Sequence, residues 1–387
     1  MIAAGLRAGR SFAIPVSVVA LLVSASPADT RPYTVEDLVR QESFGQVEFD
    51  PTGRWLVYER RVSRVAAPSF PTESRHEVFE NRLRLVDLKV KADARPLIAG
   101  DPIGMTLGPF SPDGRRVALY GLRRDRWQLG VMTLATRRLR WLDVDPDFPF
   151  WTRTVQWLNA RQLVAIDRPR GTQPMVMKRN AAGPRELPAR WAATLRGETS
   201  VKAIGAGRYF SLRPRKALNR LVLADTVSGR VTAVAMAEIE DIEVSPDGRH
   251  VAFTEAGGDL RLAADQPVMA ASGVALHHEL LGVIDLVTHR VIHPCPDDDV
   301  SGELLSWSPS GQRFLAFVRA RRGQVPAGRV VAVSAAGTVD DLPLGPAQPV
   351  LHERPESARA AWLGEVPAVL AQTDGRQDWI AIDHGQP

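Results

Sequence analysis

Apolar and polar positions alternate along short runs of this chain, and the runs keep meeting the same turn. After Ser245-Pro246-Asp247-Gly248, the residues Val251 and Phe253 lie on one face of an alternating strand. Pro246 pre-sets φ for a tight turn, Asp247 bonds its own backbone, and Gly248 takes the position that needs positive φ. The phrase returns as Phe110-Ser111-Pro112-Asp113-Gly114-Arg115, as Trp307-Ser308-Pro309-Ser310-Gly311-Gln312 and as Phe49-Asp50-Pro51-Thr52-Gly53-Arg54. Thr154–Ile166 and Val201–Phe210 keep the strand–turn–strand rhythm without Pro-Asp-Gly, and Ala360–Leu370 is a last copy, which makes seven. Aligned on the residue before the turn, the copies place Phe49, Phe110, Trp157, Ile204, Val244, Trp307 and Trp362 at one position.

Each unit continues into a third strand, as in Arg82–Leu88, Leu129–Leu134, Leu221–Asp225, Leu281–Leu286 and Val330–Val333. Short turns such as Thr226–Gly229 then lead to fourth strands such as Arg230–Val234. Four antiparallel strands per unit, repeated with short turns, predict an all-β fold: a seven-bladed β-propeller over residues 45–387. The last blade is incomplete, because Trp379–Asp383 makes a third strand with no fourth after it. A helical repeat is excluded, since these segments lack a 3.6-residue apolar period. Ahead of the repeats, in segment 29–44, Thr34 stands three residues before Asp37 and predicts a short capped helix ending near Arg40. Val65 to Glu80 and Gly257 to His278 are Pro-, Ala- and polar-rich and read as surface loops between second and third strands.

Composition changes this picture little. A hydrophobic content of 44% with 24% charged residues fits a soluble globular domain. The net charge of +5 is carried almost wholly by Arg, with five lysines in the chain, and no basic stripe with interleaved aromatics points to nucleic acid. The N-terminus says more. Arg7 and Arg10 precede the apolar run Phe12 to Val23 and then Ser24-Ala25-Ser26-Pro27-Ala28, the layout of a secretory signal peptide over residues 1–28. Cleavage is expected after Ala28, with Ala25 as second choice, and no later segment is apolar enough to span a bilayer. An exported, periplasmic protein is therefore expected. Its one cysteine, Cys295, forms no internal disulfide, so burial must hold the fold.

The candidate chemistry is thin. His293-Pro294-Cys295-Pro296-Asp297-Asp298-Asp299 collects metal-type ligands, but it lacks a second spaced pair, and its two prolines favour a plain loop. His277-His278 lies in or beside the long insertion, and His250 follows a turn as a strand residue. Asp143, Asp145 and Asp147 alternate with Val144 and Pro146, so their carboxylates can share one strand face; paired carboxylates can do acid–base work, yet a solvated edge strand explains them as well. Trp157, Trp307 and Trp362 recur before turns, which argues for packing between blades over a sugar-stacking platform. No catalytic, cofactor-binding or metal residue is assigned from sequence, and no cofactor is expected.

The Ser-Pro-Asp-Gly units resemble two groups: the propellers of the prolyl oligopeptidase superfamily and the periplasmic Tol-type propeller proteins. Tyr33–Arg40 followed at once by Phe49–Val57 looks like the N-terminus of exported bacterial members of the first group, and is most similar to those that include lasso-peptide isopeptidases. That resemblance implies a propeller that selects peptide substrate for an α/β-hydrolase domain with a Ser–Asp–His triad. The nucleophile elbow of that domain needs Gly-x-Ser-x-Gly, which does not occur in this chain, and Ser308 and Ser310 belong to a repeat turn. The expected partner is a peptide or protein, with the hydrolase domain separate. A stand-alone Tol-type propeller that binds a protein or peptide is the alternative.

Overall fold

The computed structural model describes residues 31–67, 77–90, 92–123, 126–149, 152–174, 177, 187–198, 218–259, 277–319, 328–351 and 357–383. Residues 1–28, expected from sequence to be a signal peptide, lie outside the described residues, and among these no helix is long and apolar enough to cross a membrane. The first element is helix α1, Val35–Arg40. Thr34 Oγ1 accepts a hydrogen bond from Asp37 N (3.3 Å), and Thr34 N donates to the Asp37 carboxylate (2.9 Å), so the capping box read from sequence is present.

The strands then form antiparallel four-stranded sheets in chain order. Sheet 1 holds β1 (Ser43–Phe49), β2 (Trp55–Arg61), β3 (Asn81–Asp87) and β4 (Arg95–Pro96). Sheet 2 holds β5 (Met105–Phe110), β6 (Arg116–Arg123), β7 (Arg126–Thr133) and β8 (Arg138–Trp141). Sheet 3 follows with β9 (Val155–Trp157), β10 (Gln162–Asp167), β11 (Asn219–Asp225) and β12 (Val231–Ala237). Sheet 4 contains β13 (Ile239–Val244), β14 (His250–Asp259), β15 (His277–Asp285) and β16 (Val291–Ile292). Sheet 5 contains β17 (Asp299–Val300), β18 (Arg313–Arg319), β19 (Arg329–Ser334) and β20 (Val339–Asp341). In sheet 6, β21 (Gln348–Pro349) and β22 (Ala360–Leu363) lie end to end against β23 (Val366–Thr373), and β24 (Arg376–Ala381) pairs with its other side. Among the described residues the last sheet is thus three strand positions wide, as its sequence predicts. The architecture is a β-propeller.

The turns predict seven sheets, and the described residues form six. Val201–Phe210, the hairpin of the fourth unit, lies outside the described residues. The later strands of that unit do not make a sheet of their own: β11 pairs along β10, Gln162↔Asp225 through Asp167↔Arg220, in the sheet of the third unit. The two units therefore share one sheet, and their connection carries helix α2, Leu187–Leu195. The second insertion also begins later than its composition predicts, because β14 and β15 extend the hairpin to the pair Asp259↔His277.

Five apolar clusters join successive sheets, and strand alternation divides each central strand between two of them. In β10, Leu163 and Ala165 pack toward sheet 2 while Val164 and Ile166 pack toward sheet 4. In β18, Phe314, Ala316 and Val318 face sheet 4 and Leu315 and Phe317 face sheet 6. This is why the central strands read as unbroken apolar runs. Sheet 1 differs: Val57, Leu83 and Leu85 enter the seam with sheet 2, while Tyr58, Arg60, Arg82 and Arg84 alternate onto the other face. Among the described residues no apolar cluster joins sheet 6 to sheet 1.

The recurring tryptophans sit in these seams by a single rule. Trp157 Nε1 donates to Pro109 O (2.8 Å), Trp307 Nε1 to Glu243 O (2.9 Å) and Trp362 Nε1 to Ser306 O (3.0 Å). Each acceptor immediately precedes the pre-turn residue of the sheet before, so the pre-turn positions are equivalent and the role is packing between sheets.

The turns share one bonding scheme. Ser111 Oγ and Ser245 Oγ donate to Asp113 and Asp247 (2.6 and 2.5 Å) and accept from Arg116 N and His250 N (2.9 and 2.8 Å). In sheet 1 the polarity is reversed: Asp50 accepts from Trp55 N (2.5 Å) and from the Thr52 hydroxyl. In sheet 5 the turn lacks its carboxylate, and Glu365 of sheet 6 supplies one to Ser310 N and Oγ (both 2.8 Å). Gly53, Gly114, Gly248 and Gly311 all have positive φ, between 65° and 71°. Gly114→Val and Gly248→Val should each cost about 1–3 kcal/mol in chemical denaturation, because a β-branched residue resists that conformation. Gly114→Val should cost more than Gly53→Val. A Cβ at Gly114 would strike Asp50 and Thr52 of the neighbouring turn, whereas Gly53 faces open space.

The turn after the third strand repeats as well. Asp225 Oδ1 accepts from Val227 N and Ser228 N (2.9 and 2.8 Å), and Asp285 Oδ1 from Val287 N and Thr288 N (2.8 and 3.0 Å). These amides, the Ser228 and Thr288 ones foremost, hold both carboxyls down to about 2. The unfolded chain titrates higher, near about 3.9. The resulting stabilisation is complete above that value and is lost as pH falls through about 2. Asp225→Asn and Asp285→Asn should therefore melt below wild type at neutral pH, with the gap closing between about pH 4 and pH 2 in pH-resolved thermal melts.

Candidate functional site

The first strand position of every sheet lies at one edge of that sheet, and in sheets 3, 5 and 6 that strand is interrupted. In sheet 5, β17 pairs over Asp299–Val300 and the pairing resumes only at Trp307↔Phe314. The interruption frees backbone groups that need partners. Asp241 of β13, fully buried, accepts from Leu304 N (2.9 Å), Arg153 N (2.6 Å) and Ile242 N (3.0 Å). Arg153, just before β9, completes the node: its Nη2 reaches Asp241 Oδ2 (2.7 Å) and Leu304 O (2.5 Å), and its Nη1 reaches Glu243 Oε2 (2.5 Å) and Leu305 O (3.3 Å). One guanidinium fork thus ties sheets 3, 4 and 5. Burial works against its charge, but Asp241 and Glu243 keep its pKa above the ordinary value. Burial pushes Glu243 up, partly offset by Arg153.

A second buried carboxylate joins sheets 1 and 2. Glu59 accepts from Leu107 N (2.8 Å), Gln46 N (3.0 Å) and Asn81 Nδ2 (2.9 Å), and burial raises its pKa. Between these two nodes opens a cavity of about 420 Å³ along the inner strands β1, β5 and β9. Its walls include Phe49, Leu107, Pro109, Phe110, Tyr120 and Pro149, with Gln46, Glu48, Thr152, Arg153 and Thr154 as polar groups.

Most residues singled out in the sequence are dispersed by the fold. His293 pairs with Glu255 (2.6 Å), Asp298 with Arg329 (2.9 Å), and Asp299 with Arg319 and Glu279 N (both 2.9 Å), so the His-Pro-Cys-Pro-Asp segment does not converge on one point. Cys295 is buried, and burial together with Asp298 pushes its thiol up to about 11. A shallow pocket of about 280 Å³ beside it holds Arg329 between Asp298 and Asp341. Asp143, Asp145 and Asp147 face arginines: Arg126 bonds Asp145 (2.6 Å), Arg170 pairs with Asp143, and Arg168 lies 3.9 Å from Asp147. His250 stacks on Trp307, and Ser308 accepts Arg313 N within its turn.

His277 is the exception. Its Nε2 lies 3.4 Å from Glu240 Oε1 and 3.6 Å from Glu279 Oε1, and these carboxylates raise its pKa to about 10. Glu279 is driven up by burial. His278 alternates onto the exposed side. Arg153, Glu240 and Glu279 carried no sequence signal of their own; the alternation in His277-His278-Glu279 was the one trace available.

No protein-family profile matches the chain, and no curated protein matches it. Solved structures do. It is similar to Pyrococcus horikoshii acylaminoacyl peptidase at 9% identity, covering 90% of this chain and 46% of that one, with a TM-score of 0.48. It is similar to the β-propeller domain of the Trilobed protease from Pyrococcus furiosus at 11% identity, covering 89% and 82%, with a TM-score of 0.44. TolB from Acinetobacter baumannii matches at 12% identity over 86% and 64%, with a TM-score of 0.36. The chain spans less than half of the peptidase.

Arg153→Ala should destabilise the protein by about 3 kcal/mol in urea or guanidinium unfolding, because it strips the buried Asp241 carboxylate of its counter-charge. Arg153→Lys should recover only part of this, since one ammonium cannot serve two carboxylates and two carbonyls together.

Proposed function

We propose that the chain is a peptide-binding propeller of an exported protein, taking an extended segment at the mouth of its central channel. The cavity between β1, β5 and β9 carries this reading. Aromatic and apolar residues make up much of its wall, five polar side chains are set among them, and edge strands border it. An incoming strand can bond the remaining backbone groups of these edge strands while alternate side chains meet the apolar parts of the wall. Glu48 and Arg153 give it a direction.

The sequence resemblance supplies a setting. In a prolyl-oligopeptidase-like peptidase, lasso-peptide isopeptidases included, such a propeller selects peptides and shields a hydrolase domain without doing chemistry itself. The Tol-type reading, a free-standing periplasmic propeller for a protein or peptide, draws support from Phe44 and Val47 on β1, both half exposed or more, which extend the apolar surface beyond the cavity.

Fluorescence anisotropy with labelled, unstructured, proline-containing peptides tests the proposal. Binding is expected, and Phe49→Ala and Phe110→Ala should weaken it about tenfold or more. Phe49 is 60% exposed, so its truncation leaves the core intact. Absence of binding, or binding indifferent to both changes, overturns the proposal. The same peptide displayed on a folded carrier separates the two settings: a gate excludes it, and a Tol-type binder accepts it.

A further inference from the structure

We propose that Glu240, His277 and Glu279 form a site for one divalent transition-metal ion of the zinc type. The site is built by strand irregularities. The register of β13 on β14 shifts between Ile239 and Asp241, which leaves Glu240 as the extra residue of a bulge and re-aims its side chain. A second shift falls between Ala256 and Asp259, opposite the start of β15. His277 and Glu279 are two residues apart on β15 and share a face. The intervening stretch Ala256-Gly257-Gly258 has no side chain beyond Cβ, so Glu240 can reach across it to the other two.

The donors match the class of ion. One imidazole nitrogen and two carboxylate oxygens lie within 4.8 Å of one another. The two His277–carboxylate separations are 3.4 and 3.6 Å. Ligands on a tetrahedral ion with bonds of about 2.0–2.2 Å stand about 3.3–3.6 Å apart. With His277 neutral the three donors carry two negative charges, which a dication balances, and a fourth position is left for water. A nitrogen donor and so few oxygens disfavour calcium and magnesium.

An independent observation points the same way. Glu279 is 4% exposed, and its buried Oε2 has no hydrogen-bond partner. His277 Nε2 meets the two carboxylates at 3.4 and 3.6 Å, ion-pair contacts without hydrogen-bond geometry. A buried carboxylate oxygen left in this way is costly, and a cation shared with His277 satisfies it. The backbone around them is held: Glu279 N donates to Asp299, which Arg319 anchors. Such outer partners fix ligand positions in metal sites. The ion would fasten the start of β13 to the start of β15, one residue from Asp241.

The test is zinc titration of the tag-free chain after chelator treatment, followed by calorimetry and thermal melting, with the visible spectrum of bound Co²⁺ as a second reading. One equivalent of Zn²⁺ should bind, raise the melting temperature, and give a tetrahedral cobalt spectrum. His277→Ala and Glu279→Gln should weaken binding on the order of 100-fold, and His293→Ala should leave it unchanged. Should Glu279→Gln fail to fold, Glu240→Gln carries the test, because that side chain is one-third exposed. No bound zinc, zinc bound equally by the variants, or preference for Ca²⁺ overturns the proposal and leaves a protonated histidine clasped by two carboxylates.

Discussion

A sheet in the middle of this molecule has two apolar faces and must bury both. Strand alternation is the only means a strand has of serving two neighbours, and Leu163 and Ala165 set against Val164 and Ile166 show it at work. Covering both faces requires sheets to stack in sequence, which fixes the radial order. The first strands are brought toward one centre, and each pre-turn tryptophan is set against the sheet before it.

That convergence creates a polar problem. Inner strands at sheet edges, several of them interrupted, carry amides and carbonyls that no neighbouring strand pairs. The fold answers with carboxylates at the seams: Asp241 takes amides from sheets 3 and 5, and Glu59 takes one from sheet 2. Arg153 then balances the charge that Asp241 and Glu243 bring in. These groups are structural in the first instance, but they leave a cavity between them whose polar atoms are fixed in position, as a selective binding site needs.

The same irregularities that relieve the inner strands also make new chemistry. A bulge at Glu240 and the extended β14–β15 hairpin bring a histidine and two carboxylates together beside the Asp241 node. Peptide capture in the cavity and metal binding at this cluster rest on separate residues, so each stands or falls on its own experiment.

The sequence by itself determined the unit: the turn, its positive-φ glycine, the alternating strands, the capped helix and the pre-turn tryptophans are all local, and local bonding enforces them. It did not determine how strands are shared among sheets. Whether β11 closes on β10 or on the hairpin at Val201–Phe210 is a contest between distant pairings that turn signals cannot judge, and β11 is found on β10. Nor could it find the site residues. Arg153 and Asp241 are 88 positions apart, and Glu240 meets His277 only because a bulge turns it and an extended hairpin carries His277 to it. Those meetings depend on seam packing and register, which exist only once the sheets have stacked.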